Sequence, residues 1–300
     1  LNISIPGPVL SDRPRLFAFC AALAAVNGMA AIILDSIGAG GTLAALLGLA
    51  GVSAVFWFAL YAVATIAREG AGPRITPTDK LVAGAVLLGA LLPYPMTGSI
   101  ATLIAAAYLF VQGPARSRER RMAIILLAVT GTLLWGRILL PVFAPQLLGL
   151  DAWVVGQVAG SPVLGNTVAF SGSGDRFAIS PSCSSLHNIS LAVILWATLT
   201  QLLRLSITPR LMAVCIAGVA TMAGVNCLRL ATIAANQSDF EYWHVGAGAG
   251  MFGWLALIAG GLVIGGGIIV AGSDRYEPLV LPAERSDAGL QGAGDSAATA

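Results

Sequence analysis

The chain is short of charge, of histidine and of paired cysteine. Asp, Glu, Lys and Arg make up 10% of its 300 residues, against about 25% in soluble domains. That shortage excludes a soluble globular fold. It also excludes a disordered chain, because disorder needs charge and few apolar groups. Two histidines and four cysteines (Cys20, Cys183, Cys215 and Cys227) show no CxxC pair and no metal-ligand spacing. A zinc site, haem ligation and a disulfide scaffold drop out, and neither metal nor cofactor is expected. The net charge of +2 singles out no partner, and no nucleic acid is expected.

What the chain does have is apolar length. Hydrophobic residues reach 57%, with 36 glycines, and uncharged runs of about 18 or more residues recur, each reading as a membrane span. The expected fold is all-α, a polytopic integral membrane bundle of about eight transmembrane helices. They are predicted at 16–35, 42–66, 81–94, 99–112, 121–145, 183–203, 211–236 and 244–272. The stretch after Arg13 and Arg15 is too long for a signal core and reads as a retained anchor. The third and fourth segments are short and split by Pro93-Tyr94-Pro95 and Gly98. They read as two spans, as a re-entrant pair, or as one broken helix.

The charges decide between these. With two spans, thirteen of the 16 basic residues fall on one side: Arg13, Arg15, Arg68, Arg74, Lys80, Arg116, Arg118, Arg120, Arg121, Arg204, Arg210, Arg275 and Arg285. Only Arg176 lies in an opposite loop, while Arg137 and Arg229 lie inside helices. The positive-inside rule then puts both termini in the cytoplasm. The longest outer segment, 146–182, holds Asp151, Asp175 and Arg176 with Trp153, Phe170 and Phe177, and is expected to form a partly structured cap. The tail over 273–300, rich in Gly, Ala, Ser and Asp, reads as a disordered cytoplasmic segment.

Ionisable groups at membrane depth are expensive and mark function. Three consecutive helices send Cys183, Arg229 and His244 to the outer layer. Ser180-Pro181-Ser182-Cys183 reads as a helix start, with Ser180 as N-cap, Pro181 at N1 and Cys183 in the first turn. There, free N–H groups and the helix dipole favour a thiolate and offer donors to an oxyanion. Cys20, Cys215 and Cys227 read as packing residues. Arg229 lies about 10 Å from the outer end of its helix at 1.5 Å per residue. Its other reading is a headgroup anchor, but Asn226 one turn away makes a polar stripe, which favours a site. Arg137, after Trp135 and Gly136, is divided evenly between function and interfacial snorkelling. His187, one turn along from Cys183, competes with His244. A general base must exchange protons with water, which favours the outer His244 and leaves His187 as a polar packing residue. Gly246, Gly248, Gly250 and Gly253 form a small-residue stripe expected to bring the last helix close to its two predecessors.

At Cys183-Ser184-Ser185, Asn226-Cys227-Leu228-Arg229 and His244 the chain resembles the exosortase/archaeosortase family of multi-pass membrane cysteine transpeptidases. The order Cys, Arg, His is the family's, and the likeness covers mainly 120–260. Relatives have Gly two residues after the cysteine, where this chain has Ser185. The resemblance implies a sorting enzyme of the Gram-negative inner membrane with its site facing the periplasm. Its substrates would be secreted proteins ending in a Pro-Glu-Pro-like motif, a transmembrane helix and a basic cluster. It also implies Cys183 as nucleophile, Arg229 as stabiliser and His244 as acid/base; Ser184, Asn226, Arg137 and His187, from their positions, are possible supporting residues. The acyl acceptor is left open. Competing classes are an intramembrane protease, a transporter built on Arg229, a thiol oxidase using Cys183 with Cys227, and a non-enzymatic assembly factor.

Overall fold

The computed structural model describes residues 12–273, so the tail predicted as disordered, with Arg275 and Arg285, lies almost wholly outside the described residues. The described residues are 79% helical, and six helices among them are long and apolar enough to cross a membrane. The helices are α1 (Arg13–Gly28), α2 (Ala30–Leu47), α3 (Ala54–Ala67), α4 (Pro77–Leu91), α5 (Pro95–Gln112), α6 (Arg118–Thr130), α7 (Gly136–Ala159), α8 (Leu186–Leu202), α9 (Pro209–Ala235), α10 (Phe240–His244) and α11 (Ala247–Ser273). A three-stranded antiparallel sheet lies between α7 and α8: β1 (Val163–Leu164), β2 (Thr167–Ala169) and β3 (Arg176–Ala178).

The bundle has a charged end and a cap end. Helices that begin at the charged end carry strong start signals. The Asp12 carboxylate accepts the Arg15 N–H at 3.1 Å, with Pro14 in the first turn. Thr76 and Asp79 close a capping box around Pro77, Ser117 caps α6, and Thr208 caps α9 ahead of Pro209. Each such cap is worth about 1 kcal/mol. Ion pairs then tie the ends together. Arg13 Nε lies 2.7 Å from Asp79, which also accepts from the Tyr108 hydroxyl at 2.7 Å. Arg121 is the hub. Its buried guanidinium donates to both Glu69 oxygens at 2.6 and 3.2 Å and to the Gln201 carbonyl at 2.6 and 2.8 Å, and Arg204 adds a 2.8 Å bond to Glu69. One guanidinium therefore joins the end of α3, the start of α6 and the end of α8. Burial disfavours the charged Glu69 carboxylate, but Arg121 and Arg204 outweigh it and hold the carboxyl below its ordinary range. The end of α11 meets the start of α9 beside Arg210 at this same end.

Between the ends, small residues let helices approach. A Cβ on Gly98 of α5 would stand 2.5 Å from the Ala24 carbonyl oxygen and 2.8 Å from the Gly28 nitrogen, so α1 and α5 cross backbone to backbone. The approach of α11 to α9 differs from the expected stripe. It is made at Gly260 against Met222, Gly267 against Val214, and Gly218 against Ile264. A Cβ added at Gly250 or Gly253 would meet nothing within 4 Å, and both face open space.

Three sequence boundaries are corrected. The predicted helices 16–35 and 42–66 are divided differently. α1 stops at Gly28, and α2 bends at Gly41 (φ 76°). Gly51 (φ 71°) then turns the chain back against Ile32 and Ser36 before α3. Although α2 has the length of a span, both of its ends lie at the cap end. The helix predicted over 121–145 runs on. It continues from α6 through a π-helical turn, Gly131–Trp135, into α7, a bent rod with 42 residues of helix in all and a kink at Phe143 beside Pro141 and Pro145. Along its bent path that is about 63 Å at 1.5 Å per residue, roughly twice a bilayer core. The first part of the expected cap is therefore helix, and the sheet occupies only its second half.

The sheet rests on the rod's end and on α9. Phe170, Phe177, Val168 and Ile179 are buried with Leu148, Ala152, Val155, Leu230 and Ala234. The Ser171 N–H donates to the Ala234 carbonyl at 2.8 Å, and Gln237 donates to Asp175 at 3.0 Å. Apolar burial supplies the adhesion, and these bonds fix the register.

Candidate active site

Beneath this sheet the chain leaves β3, makes one 3₁₀ turn at Pro181–Cys183, and enters α8 at Leu186. Cys183 thus precedes the long helix instead of standing in its first turn, and Ser180 makes no side-chain cap; its hydroxyl meets that of Ser182 at 2.8 Å. Ser184 is extended (φ −63°, ψ 146°), which separates the turn from the helix. Two side chains hold this break. Asp151 of α7 accepts the Ser185 N–H at 2.9 Å, and Asn226 of α9 donates to the Cys183 carbonyl at 2.9 Å and to the Ser185 hydroxyl at 3.3 Å. Cys227 completes the cluster, its sulfur 3.7 Å from the Ser185 hydroxyl. Ser185, standing where a glycine was expected, is a bonded member of this network.

His244 closes α10 instead of opening the last helix; Val245 and Gly246 intervene before α11. Its Nε2 lies 3.2 Å from Cys183 Sγ. The ring is held in place by Phe240, 4.8 Å away and tilted by 32°. Phe240 in turn meets the edges of Phe170 and Phe177 of the sheet at 6.1 and 6.3 Å. The sheet therefore positions the imidazole through a chain of aromatic contacts. A thiol and an imidazole at this separation are within reach of direct proton exchange, the arrangement that sulfur nucleophiles require.

Arg229 lies on α9 within electrostatic range of Cys183. Its Nε is buried with no hydrogen-bond partner. It lines a cavity of about 560 Å³ together with Ser182, Ser184, His187 and Asn226. The far wall is the turn before α3, from Gly48 to Ala54, and the glycine face of α11 at Gly250 and Gly253. Neither Cys183, only 7% exposed, nor His244 is among the lining residues. A second cavity of about 560 Å³ lies across the same segment, between the π-helical turn, α7 and α8. His187 and Ser182 border both cavities.

The backbone around the thiol is already bonded. The N–H groups of Cys183 and Ser184 donate to Ser180 and Pro181 carbonyls at 2.9 and 3.4 Å. Ser185 donates to Asp151, and Leu186 donates to the Ser184 hydroxyl at 3.2 Å. These four N–H groups are therefore not the free helix-start donors expected beside the sulfur, and Nε of Arg229 is a buried donor with no partner among the described residues.

Of the residues singled out from sequence, Cys183, His244, Asn226, Ser184 and Arg229 come together. Arg137 does not: it borders the second cavity and donates to the Gly28 carbonyl at 3.2 Å. His187 makes no contact with the sulfur among the described bonds. Asp151 and Phe240 carried no role in the sequence. The signal for Asp151 was present, since Leu148, Ala152 and Val155 continue a helical apolar face past it, and a carboxylate on such a helix is a functional suspect. No family model, curated protein or solved structure matches the chain.

Proposed function

We propose that this protein is an exosortase-like membrane cysteine transpeptidase. It crosses the membrane eight times, with α1, α3, α4, α5, the α6–α7 rod, α8, α9 and α11 as passes and α2 lying at the outer interface. The basic end faces the cytoplasm, by the positive-inside rule, and the sheet caps a site that opens to the periplasm of an inner membrane. The reading rests above all on the 3.2 Å approach of Cys183 Sγ and His244 Nε2, delivered by separate helices beside an unpartnered guanidinium.

In the reaction, His244 takes the thiol proton and Cys183 sulfur attacks a backbone carbonyl carbon of the substrate. Arg229 stabilises the tetrahedral oxyanion. The C–N bond then breaks, His244 returns the proton to the leaving amine, and a thioester remains on Cys183. An acceptor nucleophile displaces the sulfur and restores the thiol. The substrate class is a secreted protein held by its own C-terminal transmembrane helix after a short proline-containing signal. A tether in the same bilayer raises its effective concentration, so weak contacts with the signal suffice.

The test is coexpression with such a substrate. Cys183→Ala and Cys183→Ser are expected to abolish processing while both variants accumulate in the membrane; unimpaired processing overturns the proposal. The mass of the mature C-terminus separates transfer from hydrolysis, the latter being the outcome for an intramembrane protease.

A further inference from the structure

Asp151 has no part in the chemistry above, yet its carboxyl is buried, at 8% exposure, with no cation paired to it among the described residues. Burying a carboxylate is costly unless it gains specific partners. Here the partner is the Ser185 N–H at 2.9 Å, at the start of α8, where the helix dipole also favours a negative charge. The position of that bond is informative. If the Ser185 N–H turned to a carbonyl three or four residues back, the turn at Pro181–Cys183 would wind on into α8. Cys183 would then lie in the first turn of a continuous helix, the arrangement that Ser180-Pro181-Ser182-Cys183 favours locally. A helical Cys183 points its side chain along a different direction from one in a turn that ends at an extended Ser184.

We infer that Asp151 is a positioning residue for Cys183: by taking the Ser185 N–H it keeps the 3₁₀ turn from merging with α8 and aims the sulfur at His244. The inference rests on the proposed thiol chemistry for its consequence in catalysis, but not for its geometry.

Four substitutions in the full-length, membrane-reconstituted protein separate the bond from its neighbours. Asp151→Ala removes the acceptor, and Asp151→Asn keeps an oxygen to accept. Ser185→Ala keeps the N–H and removes the hydroxyl. Ser185→Pro removes the N–H, and its ring suits the observed φ of −62° after an extended Ser184. Two readouts are taken: the pH profile of Cys183 alkylation by iodoacetamide, mapped by peptide mass, and the single-turnover rate on a tethered substrate. Asp151→Ala and Ser185→Pro are expected to slow the single turnover about 100-fold, the usual cost of misplacing a reacting group by about 1 Å. KM changes little, and the alkylation profile moves toward that of an isolated thiol. Asp151→Asn and Ser185→Ala stay within several-fold of the parent. A parent-like profile for Asp151→Ala, or equal losses in Ser185→Ala and Ser185→Pro, overturns the inference. If truncation prevents accumulation, Asp151→Asn decides alone: retained alkylation supports the hydrogen-bond account, and a 100-fold loss refutes it. Failure of the parent to process substrate defeats the proposed function and leaves the alkylation result standing.

Discussion

Replacing Arg229 by lysine isolates what its side chain geometry contributes beyond charge. Lysine keeps a cation on the same helix but carries its donors at the end of a flexible stem and has nothing at the position of Nε. That nitrogen is the buried, unpartnered donor. Removing one oxyanion donor where others remain costs about 2.7–4 kcal/mol, or roughly 100- to 1,000-fold in rate. Around Cys183 the other donors are spoken for: the N–H groups of residues 183 to 186 already bond to Ser180, Pro181, Asp151 and Ser184. None of these four N–H groups is free to substitute, so the loss in Arg229→Lys is expected at the upper end, about 1,000-fold. The assay is the single-turnover rate of thioester formation. Alkylation of Cys183 serves as the control, because the contact with His244 is untouched and that rate stays within a few-fold. Arg229→Gln, lacking both charge and fork, loses at least as much. A thioester rate for Arg229→Lys within tenfold of the parent would refute the reasoning, since the oxyanion would then find its donors elsewhere.

Two further outcomes test the frame that holds the site. Glu69 has a depressed folded pKa, so its stabilisation is present above the unfolded value of 4.5 and is lost as pH falls through the folded value. Glu69→Gln should therefore unfold at lower temperature than the parent near pH 7, with the gap closing below pH 4.5; a gap independent of pH contradicts the ion-pair account. Gly98→Ala places a methyl 2.5 Å from a backbone oxygen and should destabilise the bundle by about 1–3 kcal/mol. Gly250→Ala, with nothing within 4 Å, should be neutral, and equal midpoints for the two in thermal unfolding would remove the close crossing of α1 and α5.

Periodicity and charge made the bundle legible because both report on solvent, and a membrane imposes one solvent rule along every span. The helices expected at 81–94 and 211–236 are present as α4 and α9, which begin at Pro77 and Pro209. The errors fall where apolarity continues but direction changes. Asp35 is the one charge between Gly28 and Gly51, so two predicted spans hide a helix that starts and ends at one end of the bundle. The span predicted over 121–145 ends close to a kink in α7 at Phe143 (φ −117°, ψ 17°), between Pro141 and Pro145, beyond which the helix continues to Ala159. Apolar length says that a segment avoids water and leaves open whether it crosses, lies flat or overshoots.

The site shows the same division between what is local and what is not. Cys183, Arg229 and His244 were singled out together because depth and orientation are properties of single helices. The local signal around Cys183 failed for a different reason. Ser-Pro-Ser-Cys is a good helix start, and alone it would begin α8 at Pro181. A carboxylate from α7 and an amide from α9 each take one of the groups that such a start would use, the Ser185 N–H and the Cys183 carbonyl. Each bond contributes only about 1–3 kcal/mol, but the preference it opposes is of similar size, as a cap is worth about 1 kcal/mol. Two tertiary bonds are therefore enough to end the turn at Cys183, and neither is visible in the residues next to it. Where a side chain faces a partner from another helix, as Cys183 faces His244, the turn that carries it obeys those partners before its own sequence.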